Sequence, residues 1–249
     1  MRTFGLIGFP LTHSFSKKYF SEKFTELGIA DSHAYDLFEC TDASYFLELF
    51  QTNAHLVGLN VTIPHKLAVI PYLDELDSSA EKVGAVNVIK RLSSGKLKGY
   101  NSDYYGFRKS LLETLNGRDT NQLKALVLGY GGAAKAVVAA LENIGIEYKI
   151  VSRNPDENQI AYPETDNLLD SHQLLINCSP LGTYPNTEAS PAIDYNKITE
   201  QHLLMDLVYN PPLTQFLERG QSKGATIQNG YQMLVYQAEK AWEIWQDNQ

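Results

Sequence analysis

The sequence predicts an α/β protein built from two α/β domains, and three observations support this prediction. The first is an apolar strand, a glycine turn and a helix within residues 124–141. The second is an alternation of strand-like and helical segments over residues 4–115. The third is an amphipathic C-terminal helix that has no place in the central unit. We expect this last helix to return to the first domain.

Length and composition bound the function. The chain has 249 residues, 43% of them hydrophobic, which is enough for two small domains. A formal net charge of -8 argues against a nucleic-acid partner. Cys40 and Cys178 have neither metal-ligand spacing nor a disulfide pattern, which fits a reducing cytoplasm. Apolar runs are short, so we expect no signal peptide and no membrane span, and a cytoplasmic protein.

The elements follow from periodicity and from their end signals. The predicted strands are 4–7, 33–38, 56–61, 85–89, 97–100, 125–128, 148–151, 174–177, 203–206 and 225–228. The predicted helices are 17–27, 42–52, one beginning at Pro64, 77–83, 104–115, 133–144, 213–223 and one beginning at Tyr231. The last helix has one apolar face, which we interpret as core: Leu234, Ala238, Ala241, Trp242 and Trp245.

The turn after the strand at 125–128 reads Gly129-x-Gly131-x-x-Ala134. In a dinucleotide-binding unit the first glycine makes the sharp turn, the second admits a pyrophosphate, and the third small residue lets helix and strand pack. The next strand is followed by Ser152-Arg153-Asn154 rather than by an acidic residue. These side chains suit a ribose 2′-phosphate. The alternative for the glycine turn is a turn of some other α/β protein. The alternative for Arg153 is a loop charge in contact with water.

Polar residues follow the strands of the first domain. Ser14 with Ser16, Thr62 with Lys66, and the segment 101–103 stand where open α/β sheets bind ligands. Taken one at a time, Ser14 or Ser16 is better explained as a cap of the first helix, and Asp103 as a cap of the fourth.

Lys66 is the exception among these residues. In the first turn of the predicted helix, Lys66 lies at the positive end of the helix macrodipole, which disfavours its positive charge. A nearby carboxylate such as Asp103 would offset this effect. A lysine held in this way transfers protons. The alternative is a lysine with its ammonium in water. His13 and His65 are interpreted as structural.

Eight ordered motifs resemble those of the shikimate dehydrogenase family over nearly the whole chain. They are Ser14-x-Ser16, Asn60-Val61-Thr62-x-Pro64-x-Lys66, Gly84-Ala85-Val86-Asn87, Asn101-x-Asp103 with Gly106, Gly129-x-Gly131-Gly132-Ala133, Asn177-x-Ser179-Pro180-Leu181-Gly182, Asp206-x-Val208-Tyr209-Asn210-Pro211 with Thr214, and Met233-Leu234-Val235-x-Gln237-Ala238. The resemblance implies a substrate-binding domain, placed at residues 1–103 and 230–249, and a Rossmann NADP-binding domain at 104–229.

The resemblance also implies an activity, the reversible NADPH-dependent reduction of 3-dehydroshikimate to shikimate in the pathway to chorismate and aromatic amino acids. Lys66 and Asp103 would be the acid–base pair, and Asp103 would also bond a ring hydroxyl. The substrate would be held by Ser14, Ser16, Thr62, Asn87, Tyr209 and Gln237. NADP would be held by Gly129, Gly131, Gly132, Ala133, Ser152, Arg153, Asn154, Ser179 and Gly230. No metal is implied, and we expect a monomer or a homodimer.

Three departures from the family pattern concern the pocket and the cofactor. Thr183 stands where the family usually has methionine beside the nicotinamide, and Val88 stands where threonine often follows the matched asparagine. Asp156 and Glu157 follow Arg153, where many NADP-specific members have a second basic residue. The nearest alternative function is a quinate/shikimate dehydrogenase using NAD(P), which performs the same chemistry on a substrate with an extra hydroxyl. A non-catalytic regulator that binds NADP or shikimate is the alternative from another class, although Lys66 and Asp103 are both present.

Overall fold

A computed structural model describes residues 1–11 and 14–247, and its chain forms two compact units. The first unit comprises Met1–Tyr105 and Gln237–Gln249, and the second comprises Gly106–Tyr236. Within the described residues, no helix is both long enough and apolar enough to cross a bilayer. His13, interpreted above as structural, lies outside the described residues.

The helices and strands alternate along most of the chain. The strands are β1 (Arg2–Gly8), β2 (His33–Glu39), β3 (Leu56–Val61), β4 (Glu75–Leu76), β5 (Val88–Arg91), β6 (Leu97–Tyr100), β7 (Lys124–Leu128), β8 (Glu147–Ser152), β9 (Gln159–Ala161), β10 (Leu174–Asn177), β11 (Leu203–Asp206) and β12 (Thr226–Gln228). The helices are α1 (Phe15–Glu26), α2 (Tyr45–Thr52), α3 (Ser78–Val83), α4 (Ser102–Leu115), α5 (Gly132–Ile144), α6 (Gln215–Ser222) and α7 (Tyr231–Gln246).

The sheet of the first unit is mixed and has the order β2-β1-β3-β5-β6-β4. β1 is parallel to both of its neighbours, whereas β5 is antiparallel to β3 and β6. One apolar cluster joins this sheet to residues of α1 and α7, including Phe20 and Trp245. A second cluster contains residues of α2 and α3, including Phe46 and Ala80. Trp245 Nε1 donates to Ile89 O at 3.1 Å, so the interpretation of the last helix as core is confirmed.

The sheet of the second unit is parallel throughout its described strands, in the order β12-β11-β10-β7-β8-β9. When β7 to β12 are numbered 1 to 6 and the sheet is read from β9, the order is 3-2-1-4-5-6. This is the strand order of a doubly wound dinucleotide-binding fold. The order reverses between β7 and β10, and ligands of such sheets bind beyond the carboxyl ends of the strands at that point. The predicted α/β fold class is confirmed.

The helix predicted from Pro64 is wrong, because residues 63–69 form a series of turns. Lys66 O accepts from Val86 N–H at 2.8 Å, so it is not available to Ile70 N–H, which instead donates to Leu67 O at 3.2 Å. A bond to a distant part of the chain thus replaces a helical bond. Lys66 therefore does not lie in the first turn of a helix.

Candidate active site and cofactor site

Three polar segments of the first unit begin at one edge of its sheet. β1 and β3 are parallel neighbours, so the segments that follow them start side by side. Ser14 follows β1, and Thr62 and Lys66 follow β3. β6 runs in the same direction as β3, since β5 is antiparallel to both. Asp103, in the first turn of α4, therefore starts from the same edge.

Lys66 and Asp103 form an ion pair. Lys66 Nζ lies 2.6 Å from Asp103 Oδ2, a length typical of a charge-assisted hydrogen bond. Only 23% of the Lys66 side chain and 14% of the Asp103 side chain are exposed. Water and salt screen such a pair less than a surface pair. Each charge therefore fixes the other while part of both remains accessible to a ligand.

Asp103 is available for this pair because Asn101 caps α4. Tyr104 N–H donates to Asn101 Oδ1 at 3.1 Å, and Asn101 Nδ2 donates to Ala85 O at 2.9 Å. The alternative interpretation of Asp103 as the helix cap is therefore wrong, and α4 begins earlier than the predicted 104. A carboxylate in the first turn is still favoured by the helix macrodipole.

Three buried side chains, Asn87, Ser102 and Gln237, bond to one another. Asn87 Nδ2 donates to Ser102 Oγ at 3.0 Å, and Ser102 N–H donates to Asn87 Oδ1 at 2.7 Å. Ser102 Oγ also donates to Gln237 Oε1 at 3.4 Å, which joins α4 to α7. Side chains that already hold one another lose little freedom on binding. The set is preorganised for a ligand with several hydroxyl groups.

The two predicted serines have different surroundings. Ser14 Oγ accepts from Lys17 N–H at 3.2 Å and caps α1, so the capping interpretation of Ser14 is confirmed. The cap uses one lone pair of the oxygen and leaves its hydrogen for a ligand. Ser16 hydrogen-bonds the Tyr35 hydroxyl, which donates to Asn60 Oδ1 at 2.7 Å. Burial raises the pKa of Tyr35, so its phenol keeps the proton that it donates.

Tyr35, Asn60 and Ser102 connect predicted site residues, and the sequence did not assign an individual role to any of the three. Asn60 Nδ2 donates to Asn87 O at 3.3 Å, which continues the chain of bonds from Ser16. A signal existed for Asn60, since it is a polar residue at the end of an otherwise apolar strand. A tyrosine inside a strand is ordinary, so Tyr35 carried no signal. His65 hydrogen-bonds Cys40 O at 2.8 Å, as expected of a structural residue.

The glycine turn of the second unit joins β7 to α5. Gly129 has a φ of +94°, in the left-handed region that glycine favours, and a Cβ there would lie 3.1 Å from Ser179 Cβ. A Cβ on Gly131 or Gly132 would meet nothing within 4 Å. No described side chain caps the N-terminus of α5. Open space beside uncapped helix N–H groups fits a phosphate.

A cavity of about 460 Å³ opens beside this turn. It is within the size range of small-molecule and cofactor sites. Five of the predicted cofactor residues line it, namely Gly129, Gly131, Ser152, Arg153 and Ser179. Tyr162, which the sequence analysis did not consider, lines it as well. Gly132 and Ala133 are the first two residues of α5, directly after Gly131, and Asn154 directly follows Arg153.

Asp206 forms a buried hub at the ends of β10 and β11. Its Oδ1 accepts from Asn177 Nδ2 at 2.9 Å and Val208 N–H at 3.0 Å, and its Oδ2 accepts from Thr214 Oγ1 at 2.6 Å. Burial raises the pKa of Asp206 to about 6, although these three bonds act in the opposite direction. Ser179 Oγ donates to Asn177 Oδ1 at 2.6 Å. The hub therefore anchors the segment that carries Ser179 into the cavity wall.

Two predicted site residues, Tyr209 and Gly230, belong neither to the polar group of the first unit nor to the residues that line the cavity. Tyr209 belongs to the second unit, whereas the other predicted substrate-binding residues belong to the first. Gly230 packs against backbone, since a Cβ there would overlap Leu207 O, and its N–H donates to Val208 O at 3.1 Å. The structure thus gives Gly230 a packing role, and the ligand roles of both residues stay predictions.

The first-unit site combines a cation, a carboxylate and fixed amide groups. An ammonium held by a carboxylate donates a proton to an oxygen that gains negative charge, which is general acid catalysis. The surrounding amide and hydroxyl groups orient a polar ligand. Within residues 1–11 and 14–247, no cluster of three or more His, Cys, Asp or Glu side chains has the arrangement of a metal site.

Comparison with known proteins gives similarities along nearly the entire chain. A family model described as the shikimate dehydrogenase substrate binding domain matches residues 6–89. The shikimate dehydrogenase (NADP+) of Methanosphaera stadtmanae is 36% identical, over 96% of this chain and 89% of that protein. The protein of the same name from Geobacillus kaustophilus is also 36% identical, over 98% of this chain and 92% of that protein.

The solved structures give the same result. The crystal structure of shikimate 5-dehydrogenase from Thermus thermophilus, in complex with NADP(H) and shikimate, superposes with a TM-score of 0.84 at 30% identity. The superposition covers 99% of this chain and 94% of that chain. Both units are therefore included in the similarity.

Proposed function

Since the chain belongs to the shikimate dehydrogenase family, we propose that it is the NADP-dependent oxidoreductase that interconverts 3-dehydroshikimate and shikimate. The observation that carries this proposal is the ion pair of Lys66 and Asp103, at 2.6 Å and mostly shielded from water. These are the two residues to which the family resemblance assigns proton transfer. The reaction is a step on the route to chorismate and the aromatic amino acids.

Proton transfer falls to Lys66. In the reduction, the C3 carbon of 3-dehydroshikimate gains a hydride and the C3 oxygen gains a proton. NADPH, when bound, supplies the hydride. Lys66 Nζ donates its proton to the developing alkoxide, and Asp103 holds the ammonium in place. In the oxidation of shikimate, the proton of the C3 hydroxyl passes to Lys66.

Substrate orientation falls to the fixed polar groups of the first unit. Asn87 and Gln237 bond ring hydroxyls. Ser102 bonds both of these side chains and so fixes their positions before the substrate binds. Thr62 and Asp103 complete the hydroxyl contacts. Ser14 and Ser16 bond the substrate carboxylate, and Tyr209 contributes a further bond to it. Each of these bonds has a charged or strongly polar partner, so each favours binding and orientation.

Cofactor binding falls to the second unit, whose residues fit a dinucleotide phosphate. The open backbone at Gly131 and Gly132 and the uncapped start of α5 accommodate the pyrophosphate. Arg153 lines the same cavity and supplies a cation for the 2′-phosphate. Ser152 and Asn154 stand on either side of it.

We assign substrate binding to the predicted domain at residues 1–103 and 230–249, and NADP binding to the predicted domain at residues 104–229. We expect a cytoplasmic enzyme that is a monomer or a homodimer. Cys40 and Cys178 are both free thiols, as a reducing compartment would maintain.

A spectrophotometric assay tests the proposal. Wild-type protein is supplied with shikimate or quinate and with NADP or NAD, and the appearance of reduced cofactor is followed. We expect shikimate with NADP to give the highest kcat/KM of the four combinations. Comparable turnover of quinate with NAD would instead identify a quinate/shikimate dehydrogenase. Binding of shikimate and NADP without any turnover would identify a regulator. Lys66→Ala, purified in the same way, controls for contaminating host enzyme.

A further inference from the structure

The connection between β8 and β9 is unusually short. β8 ends at Ser152 and β9 begins at Gln159, so the two parallel strands are joined by residues 153–158. Parallel neighbours normally need a crossover of roughly a dozen or more residues, usually containing a helix. Here the chain turns back directly, and no described helix lies between these strands. The residue after β9 is thereby brought next to the segment that follows Ser152.

The strand register gives the position of that residue. Ser152 pairs with Ala161 in the parallel ladder. Arg153 and Tyr162 are the next residues on each strand, so they leave the sheet as neighbours, with strands about 4.8 Å apart. Both line the cavity beside the glycine turn. The phenol and the guanidinium therefore reach one ligand site from adjacent strands.

Tyr162 has a fixed ring and an unused hydroxyl. The ring packs on the apolar core of the second unit, and Tyr162 O accepts from Thr165 Oγ1 at 2.6 Å. Among the residues that the structure describes, none hydrogen-bonds the Tyr162 hydroxyl. Burial raises the pKa of Tyr162, while the charge of Arg153 acts in the opposite direction. With its pKa above the ordinary tyrosine value, the phenol is protonated at neutral pH and has a hydrogen to donate.

The loop of residues 153–158 carries few groups that could bond a phosphate. Arg153 is its one cationic residue, and Asp156 and Glu157 follow it. Asp156 Oδ1 accepts from Asn158 N–H at 2.9 Å, and Asp156 Oδ2 accepts from Gln159 Nε2 at 2.7 Å. These bonds hold the Asp156 carboxylate within the loop. A neutral donor adds a bond to a phosphate where the loop has no second cation.

We propose that Tyr162 is a specificity-determining residue of the cofactor site, and that its hydroxyl donates a hydrogen bond to the 2′-phosphate that Arg153 pairs with. This inference rests on the proposed use of NADP. Tyr162 contributes the second donor that a basic residue would otherwise supply, and it discriminates NADP from NAD without adding charge.

Calorimetric titration with two fragments tests the inference, namely adenosine 2′,5′-bisphosphate and adenosine 5′-monophosphate. Tyr162→Phe keeps the ring and removes only the hydroxyl. We expect this variant to bind the bisphosphate about tenfold more weakly than wild type and the monophosphate equally well, because a bond to a charged acceptor is lost. The matched control is Tyr148→Phe. Its hydroxyl donates to Glu142 at 2.7 Å, so this variant should bind both fragments as wild type does.

Each other outcome overturns the inference in a recognisable way. If wild type prefers the bisphosphate and Tyr162→Phe keeps that preference in full, Tyr162 has no role while the NADP proposal stands. If Tyr162→Phe weakens both fragments equally, the hydroxyl contacts a part that the two fragments share and not the 2′-phosphate. If wild type itself binds the two fragments equally, the NADP proposal fails, and the role of Tyr162 fails with it.

Discussion

The two candidate ligand sites of this protein are built in different ways. In the first unit, side chains already bond to one another before any ligand binds, as in the ion pair of Lys66 with Asp103 and the bonds of Ser102 with Asn87 and Gln237. In the second unit, the glycine turn offers backbone groups and open space. The first arrangement holds its side chains in fixed positions, whereas the second leaves backbone N–H groups and space open beside a few side chains.

This difference predicts how each site responds to substitution. Removing one member of a bonded set leaves its partner unpaired in a shielded place, so the loss exceeds one ligand contact. Removing a side chain beside an open cavity costs only the contact that it makes. We therefore expect the largest effects in the first unit.

The largest effect is expected for Lys66→Ala. Turnover should fall about 10⁴-fold, because the proton donor to the developing alkoxide is lost. Shikimate affinity should change much less, since that contact strengthens in the transition state. Steady-state kinetics with calorimetric binding of shikimate check both statements. Lys82→Ala removes an exposed lysine of α3 and is the matched control. Near-normal turnover of Lys66→Ala would refute the assignment of Lys66.

Asp103→Asn should follow, with turnover about 10³-fold lower and shikimate bound more weakly. The amide keeps the shape of the carboxylate but removes the negative charge that lies 2.6 Å from the Lys66 ammonium. Without this charge the Lys66 ammonium has no negative partner to hold it in place, so the proton donor is less well positioned. Steady-state kinetics with calorimetric binding of shikimate measure both changes. Normal turnover with unchanged shikimate affinity would reduce Asp103 to a structural residue.

Asp206 sharpens the comparison, because it is a bonded carboxylate in the otherwise open second unit. Burial raises the pKa of Asp206 from 3.8 to about 6. Between these pH values the folded protein binds a proton that the unfolded chain has lost, so its free energy of unfolding falls as pH rises. The loss is about 3 kcal/mol, complete above the folded-state pKa.

Asp206→Asn removes this titration and keeps most of the hub. Urea unfolding of both proteins from about pH 4 to pH 7 measures the difference in slope. Histidines titrate in both proteins, so they cancel in the comparison. Parallel curves would show that the Asp206 carboxyl does not titrate in this window.

The smallest effect in the series is expected for Arg153→Ala. The KM for NADP should rise at least tenfold, because one charge-assisted contact is lost. The KM for NAD should change little. Since Arg153 is exposed, added salt should weaken NADP binding by wild type in the same direction. Steady-state kinetics with both cofactors at two ionic strengths measure this, and equal changes for the two cofactors would contradict it.

Local signals were sufficient for most of the fold. Gly129, Gly131 and the helix that follows them form one continuous segment, and its turn, strand and helix depend on neighbouring residues. β3, β10 and β11 begin and end at the predicted residues. Short apolar runs bounded by polar or glycine residues are consistent with buried parallel strands.

The misses have non-local causes. Pro64 signals a helix, but the bond from Val86 N–H to Lys66 O prevents it. Asp103 was considered a cap, but Asn101 takes that role. The short strand β9 was missed, and Tyr162 with it, because a three-residue strand carries too little periodicity. The hub of Asp206 and Asn177 joins residues far apart in sequence, which no local pattern reveals.

The most direct test of this account is a double-mutant cycle on Lys66 and Asp103. If the two side chains act as one acid–base unit, then Lys66→Ala combined with Asp103→Ala should lose no more kcat/KM than the worse single variant. The measurement is the rate of NADP reduction by shikimate for wild type, both single variants and the double variant. Losses that multiply in the double variant would show that the pair does not act as a unit, and would contradict the proposed active site.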